Sequence, residues 1–182
     1  MNRVAEIYDW AGLLVRDYVS TFYPTDAQIL DVGAGQGKYR LLLPRHTRFD
    51  ACEIWEPTVD AEGLRTLYRA VFIRDVVDLV GESWWDQDPY DLVIMGDVLE
   101  HLTVDDAQLV LRRVAGVHAD VLVVVPFMYP QDEEDGNVYQ RHIQDDLTPT
   151  LMATRYPSLQ LVALETRDWL PFKGIYVGGA EA

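Results

Sequence analysis

Two hydrophobic rhythms alternate along this chain. Over residues 5–22, apolar side chains return every three to four positions at Ile7, Trp10, Leu14 and Tyr18, which predicts a helix with one apolar face, closed by Pro24. Unbroken apolar runs follow: Ile29-Leu30, Phe49 to Cys52 around one acid, Val71-Phe72-Ile73, Leu92 to Met95, and Val121 to Val125. Runs without polar alternation fit strands of a parallel sheet covered on both faces. Helical stretches lie between them: residues 38–43, residues 58–70 with Leu64 and Leu67, a short one within 77–90 carrying Trp84 and Trp85, and residues 104–117 with Leu109, Leu111 and Val114. Thr148-Pro149 opens a further helix, with proline in its first turn. Two last strands, 159–164 and 174–177, stand too close for a helical crossover, so the connection 165–173 predicts a long hairpin and an antiparallel edge.

This alternation makes the chain an α/β protein whose ligand site belongs at the carboxyl ends of the strands. The first such end reads Asp31-Val32-Gly33-Ala34-Gly35-Gln36-Gly37-Lys38: strand, glycine bend, helix. A phosphate loop is excluded by spacing, since Val32 stands where its first glycine belongs and Tyr39 replaces the hydroxyl residue. The dinucleotide fingerprint is disfavoured because Lys38 occupies the place of its third glycine. Glu53, 22 positions after Asp31, ends the second apolar run, where a carboxylate can accept from both hydroxyls of a ribose. Glu56 is the competing acid, and a purely structural glycine turn is the simpler alternative for the bend.

The pattern Asp-x-Gly-x-Gly-x-Gly resembles the first motif of the class I S-adenosylmethionine-dependent methyltransferases. A second resemblance lies at the fourth strand, where Gly96-Asp97-Val98-Leu99-Glu100-His101-Leu102 is similar to the D-x-x-E-H segment of that family's small-molecule branch. The resemblance covers nearly the whole chain from Ile29. It implies a Rossmann-like methyltransferase fold: a mostly parallel seven-stranded sheet with an antiparallel last strand and helices on both faces. It also implies methyl transfer from S-adenosylmethionine to an oxygen or nitrogen of a small molecule. Asp31, Gly33, Ala34, Gly35 and Gly37 would shape the methionine end of the cofactor site. Glu53, with Ile54 and Trp55 beside it, would take the ribose. Asp75 and the Val76 N–H would take the adenine, with helix capping as the alternative for Asp75. Gly96 and Asp97 would complete the set.

His101 is the simplest candidate base, with Glu100 to orient it or share the chemistry, although both residues also suit packing of the next helix. The loop 127–147 is long enough for a lid, and its Gly136-Asn137-x-Tyr139-x-x-His142 is similar to a segment that follows the fifth strand in some small-molecule methyltransferases. Tyr139, Arg141 and His142 are therefore expected to face substrate, with His142 a second candidate base. No metal is expected. Were the Glu100–His101 pair to hold one, further ligands would have to come from Asp97 and His142. In the resembled family the leading helix commonly covers the pocket, so Tyr8 or Trp10 is a conceivable ligand contact, but core packing is the expectation for both.

Composition narrows the partners. One domain spans 1–182, with residues 1–25 as its leading helix, a size that buries a core without disulfides. A formal charge of -15 repels phosphate backbones and anionic lipid at long range, which disfavours a nucleic-acid partner or a membrane surface. The single cysteine, Cys52, reads as a core residue and suits a reducing, cytoplasmic setting. No leader or membrane-spanning run is evident. Oligomeric state is not legible. DNA amino methylation is disfavoured because the fourth strand does not end in Asn/Asp-Pro-Pro-aromatic, and a nicotinamide-dependent reductase because of Lys38 and the closing hairpin. A non-catalytic cofactor-binding subunit stays open as the alternative.

Overall fold

The computed structural model describes residues 9–87 and 90–179. Its centre is a seven-stranded sheet in the order β3-β2-β1-β4-β5-β7-β6. The strands are β1 (Gln28–Val32), β2 (Arg48–Glu53), β3 (Val71–Ile73), β4 (Leu92–Gly96), β5 (Asp120–Pro126), β6 (Gln160–Arg167) and β7 (Leu170–Gly178). Strands β1 to β5 pair in parallel, while β7 runs antiparallel to both β5 and β6. Outward reversal of strand order at β1 and β4 opens a crevice at their carboxyl ends, the place where open α/β sheets bind ligands.

Period-two alternation divides the core between the two faces of the sheet. Ile29, Leu92, Ile94, Leu122 and Val124 meet α1 (Trp10–Phe22) through Ala11, Val15 and Val19. On that side also lie α2 (Lys38–Leu42), α3 (Glu56–Ala61) and α4 (Leu64–Leu67), contributing Tyr39, Val59 and Leu64. On the other face Leu30, Val32, Val93, Met95 and Val123 meet α5 (Val76–Gly81), α6 (Val104–Gly116) and α7 (Pro149–Arg155). At about 1.5–3 kcal/mol for each fully buried aliphatic side chain, these two layers fix the strand register and with it the alignment of the strand ends. Val32 stands opposite both Cys52 and Met95, so the turns after β1, β2 and β4 emerge side by side.

The expected architecture is present, with local differences. The helix expected over 58–70 is two short helices, because Gly63 between them adopts a left-handed conformation (φ 65°). The connection expected over 165–173 is mostly strand: β6 and β7 continue to Arg167 and Leu170, joined through Asp168 and Trp169 at φ 49° and 68°. Positive φ at both central residues matches the twist of a two-residue hairpin, which lets the strands run on. The leading helix begins at Trp10, capped by Asp9, whose side chain accepts the Gly12 N–H at 2.7 Å. Expectations for residues 5–8, Ile7 and Tyr8 among them, lie outside the described residues. Cys52 is buried, and burial raises its thiol pKa well above the usual range. Among the described residues no helix is long and apolar enough to cross a membrane.

Candidate functional site

The bend after β1 is built by glycine at points where a side chain is excluded. Gly33 has φ 66°, and a β-carbon there would stand 2.5 Å from Val98 Cγ2. Its N–H donates to the Cys52 carbonyl at 2.8 Å, tying the bend to β2. Gly96 ends β4 against the ring of Tyr39, whose hydroxyl would lie 2.1 Å from an added β-carbon. Removing side chains at both points leaves bare backbone facing the crevice.

Acids hold this backbone from behind and beside. Asp31 is 1% exposed beneath the bend, where its Oδ2 accepts the Tyr68 hydroxyl at 2.6 Å. Burial pushes its carboxyl up to about 7, with the Tyr68 hydrogen bond pulling the other way. Glu53 accepts the Gly35 N–H on Oε2 and the Trp55 N–H on Oε1, each at 2.9 Å. One lone pair on each oxygen remains for a ligand hydroxyl. Asp75 caps α5 by accepting the Val77 N–H at 2.8 Å, the alternative role foreseen for it, and also faces a cavity.

Two cavities adjoin in the crevice. The smaller, about 220 Å³, is lined by Glu53, Ile54, Asp75, Val76 and Val98 and is roofed by residues 137–141 of the long loop. The larger, about 950 Å³, is lined by Ala34, Trp55, Gly96, Glu100, His142 and residues of β7. Gly33, Gly35, Asp97 and His101 belong to both. Asp31 and Gly37 line neither, so they support the bend from beneath.

The long loop is fastened to the end of β4. The Glu100 carbonyl accepts the N–H groups of Ile143 and Gln144, both at 2.9 Å, and the Gln144 side chain donates to the carbonyls of Leu99 and Leu102 at 3.0 Å. His101 and His142, 41 positions apart in sequence, are thereby brought to 4.7 Å between ring centroids. Burial is the largest influence on His101 and lowers its pKa. Glu100 is 1% exposed, and burial raises its pKa well above the carboxylate range, aided by the Asp97 charge.

Tyr139 and Arg141 line the smaller cavity and not the larger. A 3-10 turn at Val138–Gln140 directs them to the smaller one, where Tyr139 packs on Trp55 with ring centroids 6.1 Å apart. Arg141 reaches outward to Asp132 at 3.7 Å, and its carbonyl, not its guanidinium, meets His101. Of the three expected substrate-facing residues only His142 lines the larger cavity.

Several lining residues carried no motif. Lys173 of β7 pairs with Asp97 at 2.9 Å, and Lys38 pairs with Asp9 at 2.8 Å. Burial opposes the Lys173 charge, but Asp97 outweighs it and the pKa is raised. These are the chain's two lysines, and both stand in the larger cavity, so their scarcity was the available signal. Trp10 also lines this cavity while packing on the core, and Gln131 and Gln140 add amides.

No protein-family model and no curated protein sequence matches the chain. Solved structures do. An S-adenosylmethionine-dependent methyltransferase from Clostridium acetobutylicum ATCC 824 superposes with TM-score 0.67 at 13% identity, covering 97% of this chain and 94% of that one. The N-terminal domain of EvdMO1, solved with S-adenosylhomocysteine bound, gives 0.63 at 17% identity over 95% and 85%. Magnesium protoporphyrin IX methyltransferase from Synechocystis PCC 6803, with S-adenosylmethionine bound, gives 0.59 at 16% over 97% and 81%. The chain therefore has the Rossmann-like fold of the S-adenosylmethionine-dependent methyltransferases, closing hairpin included.

Proposed function

We propose that this protein binds S-adenosylmethionine and transfers its methyl group to an oxygen or nitrogen of a small-molecule acceptor. The observation that carries the reading is the meeting of the two cavities at Gly33, Gly35, Asp97 and His101, one cavity shaped for a nucleoside and the other open for an acceptor. The smaller combines two acids at successive strand ends with the apolar walls of Ile54, Val76 and Val98, which fits a ribose and a purine ring. The bare bend fits the amino-acid end, and Asp31 Oδ1, buried without a hydrogen-bond partner beneath it, suits a bend that also serves a cationic group. Solved neighbours of this fold hold S-adenosylmethionine or S-adenosylhomocysteine, which supports the same cofactor here.

The bound cofactor supplies an electrophilic sulfonium methyl. Glu53 and Asp75 would hold the nucleoside, and the bend would set the sulfur at the boundary between cavities. The acceptor enters the larger cavity, whose volume suits a small molecule. Placing acceptor and methyl in line supplies most of the rate, with effective molarities on the order of 10⁵ M or more. His101 and His142, with Glu100 packed beside them, give the acceptor's proton somewhere to leave, an effect of about 10²- to 10⁴-fold for base assistance. A neighbour solved in the presence of S-adenosylhomocysteine and D-fucose, EvdMO1, supports an acceptor of modest, polar kind. The net charge of -15 argues against a nucleic-acid acceptor, and a single buried cysteine suits a reducing, cytoplasmic setting.

Calorimetry of the full chain with S-adenosylhomocysteine tests the cofactor reading, and absence of heat with either form of the cofactor defeats it. Release of S-adenosylhomocysteine across a panel of hydroxyl and amine metabolites tests turnover. Binding without turnover on any acceptor selects the non-catalytic alternative.

A further inference from the structure

The larger cavity holds one cluster of three metal-ligand side chains, Glu100, His101 and His142, with a ligand atom from each lying within 4.8 Å of the others. The protons on the two rings can be placed from their neighbours. His101 Nδ1 lies 3.0 Å from the Arg141 carbonyl, and His142 Nδ1 lies 2.6 Å from the Tyr129 carbonyl. A carbonyl oxygen only accepts, so each Nδ1 carries the hydrogen and donates it. Each neutral ring then keeps its lone pair on Nε2.

Glu100 completes the set. Its carboxylate is buried, and neither oxygen has a hydrogen-bond partner. His142 Nε2 lies 4.0 Å from Oε1, beyond hydrogen-bond length. The three groups thus converge on a common space, where a cation would displace the proton that burial keeps on Glu100. Buried acceptors facing one another without a proton or cation are costly, since each forfeits its hydration. Fixing imidazoles through Nδ1–H to backbone carbonyls is how metal-binding histidines are commonly oriented. Two ligands of one ion at about 2.1 Å stand roughly 3.0–4.2 Å apart, depending on the angle between them. The cluster needs only a small contraction to reach that spacing.

We propose that Glu100, His101 and His142 bind one first-row divalent transition-metal ion, with its remaining coordination positions turned to the acceptor cavity. Two imidazoles and a carboxylate favour zinc, manganese, iron or cobalt over the all-oxygen sites that suit magnesium and calcium. Asp97 is not a ligand, because Lys173 holds both of its oxygens at 2.9 and 3.0 Å. It stands beside the site as part of a neutral pair. The cavity's acidic lining, with Glu134, Asp135 and Glu165 at its rim, favours entry of a cation.

The role of the ion rests on the methyl-transfer reading, whereas its binding does not. An acceptor hydroxyl that takes an open position loses its proton more readily to solvent water through the cavity mouth. Its oxygen then forms the bond to the methyl carbon as the sulfur–methyl bond breaks, and that electron pair stays on sulfur. Both Nε2 atoms are occupied in this arrangement, so coordination takes the place of direct proton uptake by histidine, and an oxygen acceptor is favoured over an amine.

The test uses the full chain, stripped with a chelator and titrated without cofactor: Co²⁺ followed by visible absorption, Zn²⁺ and Mn²⁺ by calorimetry. One equivalent bound, with affinity falling roughly a hundredfold or more in both Glu100→Gln and His142→Ala, is the expected result. Heats with S-adenosylhomocysteine and thermal melts of the variants report folding separately. Should His142→Ala not melt cooperatively, the isosteric Glu100→Gln decides. Absence of stoichiometric uptake overturns the proposal, as does uptake unchanged in both variants, which would put the ion elsewhere. Metal uptake without any S-adenosylhomocysteine heat supports the ion site while removing the methyl-transfer reading.

Discussion

The Gly35 N–H donates to Glu53 Oε2 at 2.9 Å, so the backbone bend after β1 and the acid ending β2 form one unit. The other carboxylate oxygen accepts the Trp55 N–H, so Glu53 also holds the turn that leads into α3. Glu53→Gln tests this unit. A glutamine side chain must set an NH₂ against one of the two backbone N–H groups, since only one of its ends accepts. The expected outcome is a loss of about 1–3 kcal/mol in chemical denaturation together with at least a tenfold weaker calorimetric affinity for S-adenosylhomocysteine. A variant that keeps both values separates Glu53 from the bend.

Gly33→Ala adds a β-carbon where Val98 Cγ2 already stands, 2.5 Å away, on a backbone at φ 66°. Strain of this kind costs about 1–3 kcal/mol, and the clash adds to it. Val98→Ala removes the obstructing methyl at the expense of a buried side chain. The double variant is expected to be more stable than the sum of the single losses by about 0.5–3 kcal/mol. Strict additivity in urea melts would show that the two turns do not touch in solution.

The parts legible in the sequence were those fixed by local chemistry. Glycines at 33, 35 and 37 between an apolar run and a helix specify a bend in any context, and unbroken apolar runs specify buried parallel strands. The closing hairpin was foreseen from strand spacing, but not its length, because Glu165, Arg167, Pro171 and Lys173 interrupt the alternation on an edge whose outer strand is largely exposed. Gly63 was hidden inside an otherwise helical pattern, where only its left-handed φ breaks the helix. Lys173 pairs with Asp97 across 76 positions, a relation that exists only after the sheet closes. Tyr139 and Arg141 line the smaller cavity and not the larger one beside His142, a placement set by the 3-10 turn at Val138–Gln140 that the spacing did not show. Proton positions on His101 and His142 depend on carbonyls of the folded loop, and no spacing rule supplies them.

Asp31 predicts a pH dependence with a definite sign. Its carboxyl is raised to about 7, chiefly by burial, so the folded chain holds that proton more tightly than the unfolded chain does. The stability this confers is fully present below the unfolded pKa, near 3.9, and is lost as pH rises through about 7. The loss is on the order of 4 kcal/mol at most. Asp31→Asn cannot titrate and can still accept from the Tyr68 hydroxyl. Denaturant melts should therefore show the variant below wild type at pH 5 and level with it, or above it, at pH 8.5. An equal gap at both pH values removes Asp31 as the source.

Lys173 and Asp97 give the sharpest test of how the hairpin is tied to the site. The Lys173 side chain is 16% exposed and that of Asp97 39%, so solvent screens the pair in part and its net worth is modest. Removing one partner is a different matter, because the other charge stays in the crevice beside Glu100 and Tyr39. Lys173→Met is expected to cost about 1–3 kcal/mol. Lys173→Met with Asp97→Asn should recover most of it, since asparagine keeps the left-handed φ of 55° at little strain and carries no charge. The raised lysine pKa means that this stability is present below about 10.5 and fades only above it, so the recovery should be the same at pH 6 and pH 9. A double variant no more stable than Lys173→Met would show that the lysine acts through its packed methylenes. A recovery that changes between pH 6 and pH 9 would assign the effect to a neighbouring group that titrates in that range.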